Sequence, residues 1–227
     1  MTNNSLEPFY TLIRNATSAK EYGDAWLKAT TARSDMYVEI AGVKLFVPAK
    51  CFSPDPRLTN SSLAMVKHIQ TLDLNGKSVL DIGTGPGTLS LIAAKNGAKK
   101  VVATDIDPAC IEAVNRNVEE HGVSDIIEVL QSDGFENIFN NFDIIIGNLP
   151  FRDEGWEDIV ISAKVLYSHF LTEAPNHLNA DGTILTITAS FADIDLIRSL
   201  VYGTDLTVNE FVDYKYHTDW IVFKLNN

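Results

Sequence analysis

The amino-acid sequence predicts an α/β protein with a Rossmann-like, seven-stranded, mainly parallel sheet. It further predicts an antiparallel C-terminal strand pair, helices on both faces of the sheet, and a small N-terminal appendage of helices and a hairpin. Three observations support this. From residue 78 onward, short apolar runs alternate with turns and helical stretches, as in β–α–β units. A glycine-rich turn at 83–87 follows the first apolar run. Two strand-like runs, 205–214 and 217–225, follow the last helical stretch closely, which is typical of an antiparallel pair.

The segment 1–56 is predicted to be a helical segment and hairpin that act as a lid on the main domain, residues 57–227. The apolar residues in 6–33 predict one or two short helices. The stretch MYVEIAGVKLFV at 36–47 predicts two strands that turn at Ala41-Gly42. Three prolines in the next stretch predict an ordered loop that leads into a helix near Ser61.

The main domain supplies the other predicted strands and the helices between them. Each strand is a short apolar run that ends in turn residues. The strands are predicted at 78–82, 100–104, 126–130, 142–146 and 183–188, and the helices at 87–96, 108–121, 159–178 and 191–201.

Composition and charge limit the class of protein. The 227 residues are 45% hydrophobic and 21% charged, which predicts one main globular domain with a full core. No apolar run reaches the roughly 20 residues that cross a bilayer, and no signal peptide is evident, so a soluble cytoplasmic protein is expected. A net charge of −12 makes a nucleic-acid partner unlikely, because such partners are bound through clustered Lys and Arg. Nothing in the composition indicates an oligomeric state.

The cysteines and histidines predict no metal site. Cys51 and Cys110 lie far apart without metal-ligand spacing, so both are predicted to be reduced and unpaired. The five histidines also lack ligand spacing.

The glycine turn predicts a ligand-binding loop. Residues 79–89 (VLDIGTGPGTL) place Gly83, Gly85 and Gly87 between a strand and a helix, where the backbone can approach a ligand closely. The sixth position of the dinucleotide fingerprint G-x-G-x-x-G is Thr88 here, and Pro86 removes an N–H group. Both departures disfavour NAD.

Polar residues stand at the ends of four successive strands. They are Asp81, Asp105, Asp133 and Asn148. Because parallel strands present ligands at their carboxyl edge, all four are expected to face one crevice. Asp105 lies about 20 residues beyond the glycines, where an acid can accept hydrogen bonds from ribose hydroxyls.

The order DIGTGPG, TDIDP, QSDGF, NLPF resembles that of the class I S-adenosylmethionine-dependent methyltransferases. Within these, NLPF is most similar to the N-P-P-[YF] motif of release-factor glutamine methyltransferases and of several adenine and guanine amino methyltransferases. The likeness is good over residues 50–150 and extends elsewhere only through element order. It implies S-adenosylmethionine as cofactor, bound by the domain 57–227.

The resemblance also implies residues for the methionine end of that cofactor. Asp81, Gly83 and Gly85 would surround the methionine moiety, and Gly87 would let the following helix start close by.

For the adenosine end, the resemblance implies that Asp105 holds the ribose and Ile106 packs against the adenine. Asp133 would accept a hydrogen bond from the adenine amino group, and Phe135 would cover the ring.

The segment DIIIGNLPF ends a buried strand in residues suited to holding a nitrogen nucleophile. The Asn148 side-chain oxygen and a backbone carbonyl of Leu149-Pro150 can accept hydrogen bonds from an amide or amine and direct its lone pair. Pro150 favours an extended Leu149, and Phe151 can stack on a planar group. The family usually has proline where this chain has Leu149, so the acceptor is less constrained here.

The leading interpretation is methyl transfer to an amide or amine nitrogen of a protein or small molecule. The alternatives are a lyase that cyclises S-adenosylmethionine to azetidine-2-carboxylate, an RNA or DNA amino methyltransferase, and a non-catalytic cofactor-binding subunit. Further residues are linked to the site by their position alone: Arg57, Thr59 and Asn60 near the cofactor, and Arg152, Glu154 and Trp156 at the edge of the substrate pocket.

Overall fold

The computed structural model describes residues 6–151, 162–215 and 217–227. Two helices and a two-stranded antiparallel sheet precede the main sheet, as predicted. The hairpin turns at Ala41 and Gly42, whose φ angles of 49° and 77° suit a tight left-handed hairpin turn. These elements are α1 (Glu7–Asn15), α2 (Ala19–Thr31), β1 (Met36–Ile40) and β2 (Val43–Val47).

Seven further strands form one sheet, which confirms the predicted fold class. They are β3 (Ser78–Ile82), β4 (Lys100–Asp105), β5 (Ile127–Gln131), β6 (Phe142–Gly147), β7 (Leu178–Ala189), β8 (Thr207–Lys215) and β9 (Thr218–Asn226). Their order across the sheet is β5-β4-β3-β6-β7-β9-β8. The first five pair in parallel, while β9 is antiparallel to both β7 and β8. The carboxyl ends of β3, β4 and β6 therefore meet at one edge.

Helices cover both faces of the sheet, because each strand contributes apolar side chains alternately to two cores. In β3, Val79 belongs to the core shared with α3 (Ser61–Ile69), α4 (Thr88–Lys95) and α5 (Pro108–Glu120). Leu80 belongs to the opposite core, with α6 (Ala163–Glu173) and α7 (Ile194–Tyr202). Among the described residues, no helix is both long enough and apolar enough to span a membrane.

The sixth helix and the strand after it differ from the prediction. The predicted helix over 159–178 ends at Glu173 and continues as a 3₁₀ turn over Ala174–His177, while its first residues lie outside the described part. Pro175 explains the early end, since it cannot donate the next helical hydrogen bond. Strand β7 then starts at Leu178, five residues before the predicted start, and pairs there with Phe142.

We call residues 6–60, which comprise α1, α2, the β1–β2 hairpin and the following loop, the roof. Two buried tyrosines hold its loop under its helices. The Tyr10 hydroxyl donates to Asp55 at 2.9 Å, and the Tyr22 hydroxyl donates to the Leu58 carbonyl at 2.8 Å. A domain boundary after residue 56 stays a prediction.

Asn117 of α5 fastens the roof hairpin to the main domain. Its side-chain amide donates to the carbonyls of Phe46 and Pro86, and its oxygen accepts from the Phe46 N–H, each at 2.8 Å. Since Asn117 is fully buried, these bonds are shielded from water.

The prediction that Cys51 and Cys110 are unpaired is wrong. The roof loop crosses the first turn of α5, which brings their Cα atoms to 5.7 Å, and the two residues form a disulfide. They are separated by 59 positions in sequence, so their spacing alone could not reveal the pairing.

Candidate active site

A cavity of about 1090 Å³ lies between the roof and the carboxyl ends of the central strands. Such ends are where open α/β sheets bind ligands. Ten of the residues predicted to form the site line this cavity together: Gly83, Gly85, Asp105, Ile106, Asp133, Phe135, Asn148, Leu149, Pro150 and Phe151.

The glycine turn folds into a sharp loop with open space above it. Gly83, Gly85 and Gly87 have φ angles of +66°, +57° and +87°, a region that favours glycine. A Cβ atom at Gly85 would meet no atom within 4 Å, so this part of the loop has room for a ligand. A Cβ atom at Gly87 would lie 2.5 Å from the Val114 side chain. Gly87 therefore serves the close packing of α4 on α5 and does not line the cavity.

Asp81 lies behind the glycine turn and is not among the residues that line the cavity. Its carboxylate accepts hydrogen bonds from Thr84 at 2.7 Å and Ser90 at 2.6 Å. Burial raises the pKa of this carboxyl to about 6. The prediction that all four strand-end residues face one crevice thus fails for Asp81, because its side chain points under α4 and holds the turn from behind.

Asp105 joins the glycine turn to the end of β4. One carboxylate oxygen accepts from the Gly85 N–H at 2.8 Å, and the other accepts from the Asp107 N–H at 3.0 Å. Burial raises the pKa of Asp105, an effect that the two N–H donors partly oppose. A carboxylate has about four acceptor sites, so Asp105 can accept further hydrogen bonds from a ligand.

The residues after Asp105 and Gln131 suit a flat, partly apolar ligand. Ile106 is 57% exposed at the cavity rim, where its side chain is accessible to a ligand. Asp133 is exposed beside it, and Phe135 is buried in the wall. These residues fit S-adenosylmethionine. The exposed apolar side chain matches its adenine ring, and the open acid matches the adenine amino group. The open glycine turn matches its methionine moiety.

The NLPF segment forms the neighbouring wall. The Asn148 amide nitrogen donates to the hydroxyls of Ser61 and Ser62, each at 3.4 Å. This orientation leaves the side-chain oxygen on the opposite arm of the amide, and no described residue donates to it. Leu149 packs against Gly83, where an added Cβ atom would lie 3.1 Å from its methyl group.

A cluster of four aromatic rings closes the cavity beside Asn148. Phe151 lies 5.5 Å from Phe191 and 6.4 Å from Trp220, measured between ring centroids. Tyr22 of the roof contacts the same cluster, at 5.9 Å from the Trp220 ring. Sequence reasoning found Phe151 alone, because the other rings come from α2, the turn after β7, and β9. For Phe191 a signal existed, because it lies two residues past the end of β7, much as Phe151 follows β6.

Of the remaining residues that sequence position linked to the site, some line the cavity and others do not. Thr59 lines the cavity, whereas Arg57 forms an ion pair with Asp55 at 2.7 Å and Asn60 donates to Asp213 at 3.1 Å. The three residues predicted just past NLPF lie outside the described residues: Arg152, Glu154 and Trp156. Within the described part of the chain, no group of three or more His, Cys, Asp or Glu is arranged to hold a metal ion.

Comparison with known proteins gives a family. The family model of the methyltransferase small domain matches residues 43–215. A putative protein N5-glutamine methyltransferase of Methanocaldococcus jannaschii is 30% identical over 186 residues, which cover 77% of this chain and 85% of that protein. The ribosomal protein L11 methyltransferase of Thermosipho africanus is 36% identical over 110 residues, but the match covers only 36% of that protein.

Solved structures share the fold. A tRNA m1G37 methyltransferase of M. jannaschii has a TM-score of 0.63 at 22% identity, covering 86% of this chain and 57% of that one. A 16S rRNA N2 G1207 methyltransferase of T. thermophilus, solved with AdoMet and guanosine, has a TM-score of 0.63 at 23% identity. That match covers 83% of this chain and 49% of the other.

Proposed function

Because this chain belongs to the methyltransferase small domain family and uses S-adenosylmethionine as its methyl donor, we propose that it methylates an amide or amine nitrogen of a protein or small molecule. The observation that carries this proposal is the side chain of Asn148. Two serine hydroxyls hold its amide nitrogen, and its oxygen is left to accept a hydrogen bond from a ligand in the cavity.

In this proposal the NLPF wall orients the acceptor. The Asn148 oxygen accepts from one N–H of the acceptor, and a backbone carbonyl of Leu149 or Pro150 accepts from another. Two fixed acceptors restrict rotation of the nitrogen and stabilise the positive charge that develops on it. Phe151 and the rings packed on it form an apolar surface for a planar group and keep water away.

The other wall would hold the cofactor. When bound, S-adenosylmethionine supplies an electrophilic methyl carbon on its sulfonium. Asp105 would accept hydrogen bonds from the ribose hydroxyls, and Ile106 and Phe135 would cover the adenine, whose amino group Asp133 would bind. Gly83 and Gly85 would give the methionine moiety access to the backbone, in a turn that Asp81 holds from behind.

Two features favour an amide or amine acceptor over a nucleic acid: the net charge of the chain and the covering of the cavity by the roof. A net charge of −12 opposes binding of a polyanion, and the roof covers the cavity with α2 and the loop before α3. An amide or amine that is small, or that projects from a protein as a side chain, fits beneath such a cover better than a base within a folded nucleic acid. The N5-glutamine methyltransferase name of the M. jannaschii relative agrees with an amide acceptor.

The first experiment is incubation of the purified protein with S-adenosylmethionine alone, with all products followed by mass spectrometry. We expect the cofactor to stay intact. Screening with glutamine-containing peptides, small amides and amines would then yield a product heavier by one methyl group. Rapid formation of methylthioadenosine and a cyclic amino acid would overturn the proposal in favour of a lyase, and methylation of added RNA or DNA in place of amides would overturn the acceptor class.

The role of Asn148 has its own test. Asn148→Ala is expected to lower the turnover of the identified acceptor by about 100-fold or more, the scale for losing one preorganised polar contact. Its affinity for S-adenosylhomocysteine should stay unchanged in calorimetry. The matched control is Asn115→Ala, which removes an exposed asparagine on α5 and should alter neither quantity. Full turnover by Asn148→Ala would exclude this residue from the mechanism.

A further inference from the structure

The Cys51–Cys110 disulfide joins the two sides of the cavity. Cys51 lies in the roof loop, and Cys110 lies in the first turn of α5, three residues after the N-cap Asp107. Both cysteines line the cavity, as do Asp107 and the two residues between it and Cys110. The bond is therefore a covalent link between the cover of the cavity and the wall next to Asp105.

The roof loop near Cys51 is hydrogen-bonded to two side chains of the roof itself. Arg33 donates to the carbonyls of Pro48 at 2.9 Å and Ala49 at 2.8 Å, and also to the carbonyl of Cys51. Asp35 accepts from the Ala49 N–H at 2.9 Å. Both side chains belong to the roof. They keep the loop in shape without reaching α5, and the disulfide links loop and helix covalently at this point.

We propose that Cys51 and Cys110 form a thiol–disulfide exchange site that controls how fast the cofactor product leaves the cavity. The inference rests on the proposed function through its placement of the ribose at Asp105, five residues before Cys110. In the disulfide state the loop is tied over the adenosine end. In the dithiol state the loop is held by non-covalent contacts and opens more often.

The exchange is a two-electron reaction with a thiol reductant. A thiolate attacks one sulfur, the S–S bond breaks, and a mixed disulfide forms. A second thiol then releases the reductant as its own disulfide and leaves two S–H groups on the protein. Two thiols are thus oxidised for each protein disulfide that is reduced, and a small disulfide reverses the reaction.

Burial determines the route of the attacking thiol. Cys51 is 1% exposed and Cys110 is 5% exposed, yet both line the cavity, so a small thiol reaches them through it. A ligand in the cavity should block that route. Ligand release and disulfide reduction are therefore coupled: reduction speeds release, and the bound ligand slows reduction.

Two measurements on the full chain test this coupling. The first is the dissociation rate of S-adenosylhomocysteine by displacement, before and after treatment with dithiothreitol. We expect release to be about tenfold faster or more after reduction, because the roof loop is then no longer tied covalently to α5. The second is the rate of thiol appearance, followed by alkylation and mass spectrometry. Saturating S-adenosylhomocysteine should slow it severalfold.

Serine variants provide the control for the reductant itself. Cys51→Ser and Cys110→Ser should each release S-adenosylhomocysteine at the fast rate without dithiothreitol and should not respond to it. If either variant fails to fold, the wild-type comparison stands alone, because it requires no substitution.

Two different failures are distinguishable. The exchange site would be overturned by equal release rates in the disulfide and dithiol states. It would also be overturned by a rate of reduction that is the same with and without the bound ligand. In either case the disulfide would be a structural crosslink only. No binding of S-adenosylhomocysteine in either state would overturn the proposed cofactor site itself.

Discussion

The sheet edge and the roof enclose the same cavity but are built in different ways. At the sheet edge, each candidate residue follows directly from its strand, and neighbours in sequence lie together in space, as Asp105 and Ile106 do. The roof instead depends on single side chains that reach distant backbone. Tyr22 bonds to Leu58, and Asn117 bonds to Phe46 across 71 positions.

The two constructions suit two different tasks: the sheet edge suits cofactor affinity, and the roof suits access to the cavity. Backbone turns fixed by local sequence give a rigid surface, which suits the recognition of an invariant cofactor. A cover held by a few long-range bonds can be released at few points, which suits the control of entry and exit. Substitutions in the two regions should therefore affect different measurements.

The largest effect is expected where the roof is fastened. Asn117→Ala removes three hydrogen bonds made by a buried side chain and leaves the Phe46 N–H group and two carbonyls without these partners, so it should lower the free energy of unfolding by about 3 kcal/mol. Urea denaturation measures this. Asn115→Ala, on the exposed side of the same helix, is the control. A loss no larger than that of the control would mean that the Asn117 hydrogen bonds do not fasten the roof.

At the sheet edge, the largest effect should fall on binding. Asp105→Ala is expected to weaken the binding of S-adenosylhomocysteine about 30-fold, because it removes charge-assisted hydrogen bonds worth about 2 kcal/mol. Calorimetry gives the affinity, and a thermal melt of the same sample checks the fold. Unchanged affinity in the folded variant would refute the ribose assignment.

A smaller effect at the sheet edge should depend on pH. The folded pKa of Asp81, about 6, lies above its unfolded value, so the protonated carboxyl favours the folded state at low pH and this contribution is lost as pH rises through 6. Between pH 5 and 7.5 the loss should be on the order of 1 kcal/mol. Asp81→Asn should lack this component in urea denaturation at both pH values. Identical pH dependence in the two proteins would contradict the assignment.

The smallest effect is expected at a single roof contact. Tyr22→Phe keeps the ring in the aromatic cluster and removes the hydrogen bond to the Leu58 carbonyl, which should cost about 1 kcal/mol in the free energy of unfolding. Tyr214→Phe, at a tyrosine that is 65% exposed, is the control. Binding of S-adenosylhomocysteine should be nearly unchanged in both, and a loss of affinity comparable to that of Asp105→Ala would erase the distinction between the regions.

Much of the sheet edge could be predicted from sequence because its signals are local. The apolar run before Asn148 and the glycines after Ile82 each fix a strand and its exit turn. The direction of the Asp81 side chain could not be predicted, since it depends on the hydroxyls of Thr84 and Ser90.

The roof contacts could not be predicted from the sequence, because they also depend on residues that are distant in the chain. The Cys51–Cys110 bond and the aromatic contacts of Tyr22 join residues that no periodic pattern links. Each depends on where the roof rests on the completed sheet. The existence of the two helices and the hairpin was predictable from local patterns, whereas their docking was not.

The contact between Tyr22 and Trp220 also orders events during synthesis of the protein. Tyr22 leaves the ribosome long before β9, which carries Trp220, because Trp220 follows Tyr22 by 198 positions (220 − 22) in the chain. Until β9 inserts between β7 and β8, the apolar side of α2 lacks one of its partners, and a nascent or truncated chain presents this surface to chaperones and proteases. The exposure of α2 thus reports whether β9 has been made and inserted.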